Sequence, residues 1–461
     1  MANNDQAFVV DKKDIFLVKP SKPTPSCVLS FSSIDNYYIF EFLVYTIHVY
    51  KASHNQENNL HDDPACLIKD ALSRVLVYYY PMAGKLKRNI DGKLRITCNA
   101  DGVPFVEAIA SCSLSSLNYL DGVDLQTARE FVVNYPNQSE LGYHPLVVQV
   151  TKFSCGGFAV GMGLSHAMCD GVSASQFLRA LAGLVKGKNE PVIKPVWERE
   201  LLVVEPNCEE SIQLSFQKTT LANSPYLPTI DLLHEFFNIS GETIEKMRSS
   251  LIIKGDDIDI GVMRNNFTSL EIISAYIWRS MFRALDLNSD GDTVLIIING
   301  IRHILKNPTL PQGYYGNSIV FANSEMSGKQ LNEGPFLEIV ETIKEGKKSA
   351  SNPDYICKAI SIFESITRAK SVYRNNGACV YLTDWRHLGF MEVDFGFGEP
   401  VNLMVLPLSE SFYQGTCLFL PSSKLDAKMK GGMRVYLTLP RVAMTKMRAE
   451  MDAIEQMDYI K

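Results

Sequence analysis

His166 and Asp170 stand four residues apart in the stretch GLSHAMCDG, residues 163–171. An imidazole with a free pKa near 6.5 accepts a proton at neutral pH, which is the task of a general base. Of eight histidines only His166 is followed by Asp at the fourth position. Chance supplies about 0.4 such pairs in a chain with this many histidines, so the pair alone does not separate a catalytic base from a structural turn. The overlapping stretch Gly163-Leu164-Ser165-His166-Ala167 nearly matches the nucleophile elbow of serine hydrolases. Ala167 replaces the final glycine that so sharp a turn requires, which disfavours a serine nucleophile. No second histidine lies at ligand spacing and Cys169 alone is a poor partner, so no metal is expected.

Two further loops have unusual chemistry. DFGFG, residues 394–398, follows Thr383-Asp384-Trp385-Arg386. Glycines on both sides of an aromatic ring mark a tight turn, and Asp394, Gly396 and Gly398 read as structural. GYYGN, residues 313–317, follows NPTLP and places the Asn317 amide on a loop.

These residues need elements to carry them. Residues 146–153 and 158–164 read as a strand pair around Gly156-Gly157, leading directly into His166. A helix is expected over 173–185, with Ser173 as N-cap and Gly187 as its stop. Such a strand–turn–helix puts His166 at a strand end facing a cleft. Residues 64–80 read as a helix with Ile68, Leu72, Val75 and Leu76 on one face. Residues 94–97 and 103–108 read as strands about an Asp101-Gly102 turn. In the second half, helices are expected over 269–285, 336–350 and 441–457. Strands are expected over 293–298, 401–407, 417–421 and 433–439. Mixed strands and helices across two halves give an α/β class.

The chain has 461 residues, more than one hydrophobic core usually spans, so two domains are the default. A Pro-punctuated polar stretch over 191–229 contains the connector, placed at 201–225, between domains 1–200 and 226–461. Hydrophobic residues make up 46% and charged residues 21%, as in ordinary globular proteins. A net charge of −6 argues against nucleic acid as a partner. No run of about 18 apolar residues marks a membrane span, and residues 1–20 lack the apolar core of a secretory signal. Ten scattered cysteines without a CxxC pair fit a reducing, cytoplasmic setting.

Together, HxxxDG at 166, GYYGN at 313 and the DFGFG loop resemble the plant BAHD acyltransferases. YYPMAGKL at 79–86, TCNADGVPFVE at 97–107 and the stretch 268–279, with Glu271, Ala275, Trp278 and Arg279, extend the resemblance over most of the chain. SPYLPT at 224, PVWEREL at 195, TDWRHLG at 383 and the tail from 431 are most similar to the spermidine hydroxycinnamoyl and sinapoyl transferases of that family. Phe397 departs from the family's usual tryptophan.

The resemblance implies two chloramphenicol-acetyltransferase-like domains, with mixed sheets flanked by helices and a solvent channel between them. It also implies that a segment near 370–405 returns to the first domain. The implied reaction moves an aromatic acyl group from CoA to an amine such as spermidine. The alternative is an ester on an alkaloid or terpenoid hydroxyl, with a benzoyl, tigloyl or acetyl donor; a non-catalytic binding protein that keeps the fold is a remote alternative, against which intact His166 and Gly171 argue. Acyl-CoA enters as co-substrate, with no bound cofactor, and the enzyme is expected to be a monomer. His166 would be the base, Asp170 would pair structurally with Arg302, and Thr383 and Trp385 would line the oxyanion region and substrate channel.

Overall fold

The computed structural model describes residues 8–52, 63–133, 135, 140–204, 220–251, 267–306, 308–369, 375–407, 413 and 415–454. The first half supplies β1 (Val10–Lys12), β2 (Phe16–Val18), β3 (Cys27–Ser30), β4 (Leu43–Tyr50), β5 (Lys85–Arg88), β6 (Leu94–Cys98), β7 (Val103–Ala110), β8 (Leu146–Phe153) and β9 (Phe158–Ser165). The second half supplies β10 (Leu232–Ile239), β11 (Asp292–Gly300), β12 (Ile319–Ser327), β13 (Cys379–Asp384), β14 (Asn402–Val405), β15 (Thr416–Pro421) and β16 (Met433–Pro440).

Two mixed sheets organise these strands. The first runs β1-β7-β8-β9-β4-β14, with β2 also on β7; the second runs β10-β16-β15-β13-β11-β12. A small third sheet, β3-β6-β5, stands apart. The strand β14 comes from the second half yet pairs antiparallel with β4 of the first sheet, Asn402 opposite Val49 and Val405 opposite Thr46. One continuous hydrophobic core joins the halves, running from Phe31 and Phe177 to Trp278 and Leu437.

The helices are α1 (Pro64–Val75), α2 (Leu125–Arg129), α3 (Gly171–Val185), α4 (Gly241–Ser250), α5 (Ser269–Ala284), α6 (Gly328–Glu333), α7 (Phe336–Ser349), α8 (Pro353–Ala369) and α9 (Arg441–Ala453). Three differ from the periodicity reading by more than one residue. The first ends at Val75, and Tyr80–Ala83 forms a separate 3-10 turn where Pro81 cannot continue an α-helix. The third begins at Gly171 with Asp170 as N-cap, because the Asp170 carboxylate reaches the Ser173 N–H. Ser173 therefore lies inside the first turn. The last helix is Arg441–Ala453, and residues 455–457 of the expected span lie outside the described residues. The strand expected over 401–407 narrows to Asn402–Val405.

In the second half α5 is buried along nearly its whole length. A capping box between Thr268 and Glu271 starts it, and Lys347 of α7 donates to the Glu271 carboxylate at 2.8 Å. Arg279 sends two N–H groups to the carbonyls of Leu331 and Gly334. The residues in 268–279 that match the family pattern thus cap, pack and tie down this helix. Of the connector placed at 201–225, residues 205–219 lie outside the described residues; Arg199–Leu202 form a short 3-10 helix.

Candidate active site

The end of β9 delivers His166. Its neighbour Ser165 is still in the strand, opposite Leu43, and its hydroxyl meets Tyr143 at 3.3 Å. A nucleophile elbow would project that hydroxyl from a sharp turn; here it is buried in a sheet, which removes the serine-hydrolase alternative. The His166 N–H donates to the Phe42 carbonyl at 3.0 Å, and the chain turns back through Met168 N–H to Ser165 O. The imidazole is partly buried and lies on the Phe40 ring, with centroids 4.3 Å apart and planes 8° from parallel. Phe42 meets it edge-on at 5.7 Å. Burial lowers the pKa of His166 below the usual histidine value of 6.5, while the charges of Asp170 and Asp35 push it up.

Asp170 does not serve the imidazole. One oxygen accepts the Ser173 N–H at 3.0 Å. The other accepts Arg302 at 2.6 Å, the Ser318 N–H at 3.0 Å and the Ser318 hydroxyl at 3.2 Å. Burial raises its pKa, but the Arg302 charge and these donors together hold it below the ordinary carboxylate value. Arg302 also donates to Ser173 Oγ at 2.7 Å and to Gly316 O at 2.9 Å. This locks the GYYGN loop of the second half against the first turn of α3.

A second layer lies beneath the turn. Asn317 donates its amide to the His166 carbonyl and to Asp35 Oδ1, each at 2.8 Å. Asp35 is fully buried, and its other oxygen accepts Arg199 at 2.8 Å. Arg199 in turn donates to the Met168 carbonyl at 2.7 Å. Asp35, Arg199, Phe40 and Phe42 are site residues that no motif in the sequence marks as such. The one local signal is the Ser32-x-x-Asp35 spacing, in which the Ser32 hydroxyl and Asp35 satisfy each other. Nothing local links position 35 to 199 or 317.

Thr383 is the last residue but one of β13, and the Trp385 N–H just beyond the strand donates to Phe419 O at 2.7 Å. The Trp385 ring packs on Phe390 at 5.5 Å, and Phe390 meets His48 of β4 at 6.0 Å. Among the described residues neither Thr383 nor Trp385 makes a hydrogen bond or ring contact with His166. The segment does approach: a Cβ on Gly171 would lie 2.5 Å from Leu388 Cδ1, so the glycine of HxxxDG leaves room for this chain.

From Leu388 the segment runs along α3. Glu392 pairs with Arg179 at 3.0 Å, and Asp394 with Lys186 at 3.2 Å. There the DFGFG loop closes on itself, with Asp394 accepting the N–H groups of Gly396 and Gly398 at 2.7 and 2.9 Å. Both glycines have positive φ, +91° and +90°. Phe397 meets Phe158, at the opposite end of β9 from Ser165. Fifteen residues of α3 therefore separate this loop from Asp170, about 22 Å at 1.5 Å per residue.

Comparison with known proteins agrees with this architecture. The transferase family matches residues 8–454. A spermidine coumaroyl-CoA acyltransferase of Arabidopsis thaliana is 40% identical, over 98% of this chain and 97% of its own. A spermidine sinapoyl-CoA acyltransferase of the same plant is 38% identical, over 97% and 98%. The crystal structure of vinorine synthase shares the fold at a TM-score of 0.74, with 22% identity over 97% of this chain and 98% of its own. With two mixed sheets joined at a seam, HxxxDG at the end of a strand and a match along nearly its whole length, the chain belongs to the BAHD transferase family and is an acyl-CoA-dependent acyltransferase.

Proposed function

We propose that the enzyme moves a hydroxycinnamoyl-type acyl group from CoA to an amine nitrogen of a polyamine such as spermidine, with His166 as general base. The observation that carries the reading is the His166 imidazole itself. Burial favours its neutral form, it is laid on Phe40, and it makes no bond to Asp170, whose oxygens are occupied. Support for the amine and the aromatic donor comes from the two Arabidopsis relatives.

An acyl thioester is already activated, so no covalent enzyme intermediate is needed. His166 takes the N–H proton as the nitrogen attacks the thioester carbonyl. The resulting oxyanion needs donors, and Thr383 and Trp385 are assigned that part of the channel. Collapse expels the CoA thiolate, which recovers the proton from the imidazolium. Asp170 and Arg302 hold the loop, and Asp394, Gly396 and Gly398 hold the far end of α3. In this reading residues 1–200 form one domain, joined by a segment near 370–405, and 226–461 the other. The enzyme works as a monomer in the cytoplasm, a reducing compartment that suits its ten cysteines.

The test is a mass-spectrometric screen. Coumaroyl-, feruloyl-, sinapoyl-, benzoyl- and acetyl-CoA are offered against spermidine, putrescine and a panel of alkaloid alcohols. N-acylated spermidine with stoichiometric CoA is the expected product. Esters without any amide would overturn the amine assignment.

A further inference from the structure

We propose that Asp35 is a positioning residue for acyl transfer: its buried carboxylate, acting through Asn317 and Arg199, holds the backbone of the 166–168 turn and thereby sets where the imidazole stands. The proposal rests on the reading of His166 as the base.

Three segments distant in sequence meet at this carboxylate. Its Oδ1 accepts both the Asn317 backbone N–H and the Asn317 side-chain amide, each at 2.8 Å. Its Oδ2 accepts Arg199 at 2.8 Å and the Ser32 hydroxyl at 2.8 Å. The donors it orients then grip the turn from two directions, Asn317 at the His166 carbonyl and Arg199 at the Met168 carbonyl. Arg199 is itself clamped, with its guanidinium 4.5 Å from the centroid of Phe31 and 3% of its side chain exposed. The Asp35 loop is held independently, since the Asn36 side chain accepts Leu94 N–H and donates to the carbonyls of Phe31 and Ser32.

A group that only stabilised the fold would not need to place its two distant partners, Asn317 and Arg199, on the catalytic turn. Asp35 also faces the imidazole as a charge. Two carboxylates surround His166, Asp170 with its Arg302 and Asp35 with its Arg199, and both raise the pKa of the ring against burial.

Two variants test this in the full-length enzyme, with coumaroyl-CoA and spermidine and with His166→Ala as the inactive control. Asp35→Asn keeps the shape but presents an N–H₂ to a donor and leaves the Arg199 charge unopposed. We expect kcat to fall about 10–100-fold, with KM for coumaroyl-CoA changed less than about threefold. The acid limb of the pH profile should move to lower pH, because a negative charge that favours the imidazolium is removed. Arg199→Lys retains the charge opposite Asp35, but a single ammonium cannot replace the guanidinium fork that also reaches Met168 O. Its kcat should fall about 3–10-fold with the acid limb unmoved. Wild-type kcat and an unmoved limb in folded Asp35→Asn would overturn the proposal. If that variant does not fold, wild-type kcat in Arg199→Lys overturns it instead. Should wild type acylate no amine, the function proposed above fails, and the same variants are compared on whichever acceptor is turned over.

Discussion

At His166 opposing forces act on one proton. Burial favours the neutral ring, and the nearby carboxylates favour the charged one; burial prevails and the pKa falls below 6.5. A base with a lowered pKa stays deprotonated to lower pH. The acid limb of kcat/KM for acyl-CoA at saturating spermidine should therefore lie below 6.5, well apart from amine ionisation near 10.4. A limb above 7 in the measured profile would contradict this. Asp170 is the opposite case, a carboxylate whose folded pKa is held down. The stability it contributes is present above its unfolded pKa of about 3.9 and is lost as pH falls through the lower folded value. Asp170→Asn leaves Arg302 without its anion in a largely buried site, so urea unfolding at pH 7 should show a loss of about 3–5 kcal/mol. Equal stability to wild type would remove the ion pair from the account.

At the scale of elements, β9 and α3 form one strand–turn–helix unit with a task at each end. His166 and Asp170 occupy one end, while Phe158 and Lys186 hold the DFGFG loop at the other. A substitution in that loop should change stability without touching turnover. Gly398→Ala forces a side chain onto a φ of +90°. It should cost about 1–2 kcal/mol in thermal or urea unfolding, with kcat unchanged; a large loss of kcat in the folded variant would contradict the division of labour. Much of this unit was legible in the sequence, because β8 and β9 are short apolar runs on either side of Gly156-Gly157 and Gly187 stops α3. The helix start was misjudged by two residues because Asp170 is at once a motif residue and an N-cap. The Asp35 network was not legible, since its partners are 164 and 282 residues away and no local period encodes such a meeting.

At the scale of the whole molecule, the two halves are joined by strand pairing, buried ion pairs and a shared core. The strand β14 completes the sheet of the other half, and the Asp35–Asn317 and Asp170–Arg302 contacts cross the seam beside the turn that holds His166. The hydrophobic core is continuous through that seam. Differential scanning calorimetry should therefore show one cooperative transition, and two well-separated transitions would contradict a shared core.

The most direct test of the central claim is transfer by His166→Ala. Product formation from coumaroyl-CoA and spermidine is followed by mass spectrometry beside a melting curve of the same preparation. Loss of a positioned base predicts a fall of about 10²–10⁴-fold in kcat in a protein that still melts cooperatively, because the buried ion pairs that hold this turn, Asp170–Arg302 and Asp35–Arg199, do not involve the imidazole. A folded variant that still acylates spermidine at the wild-type rate would contradict the account.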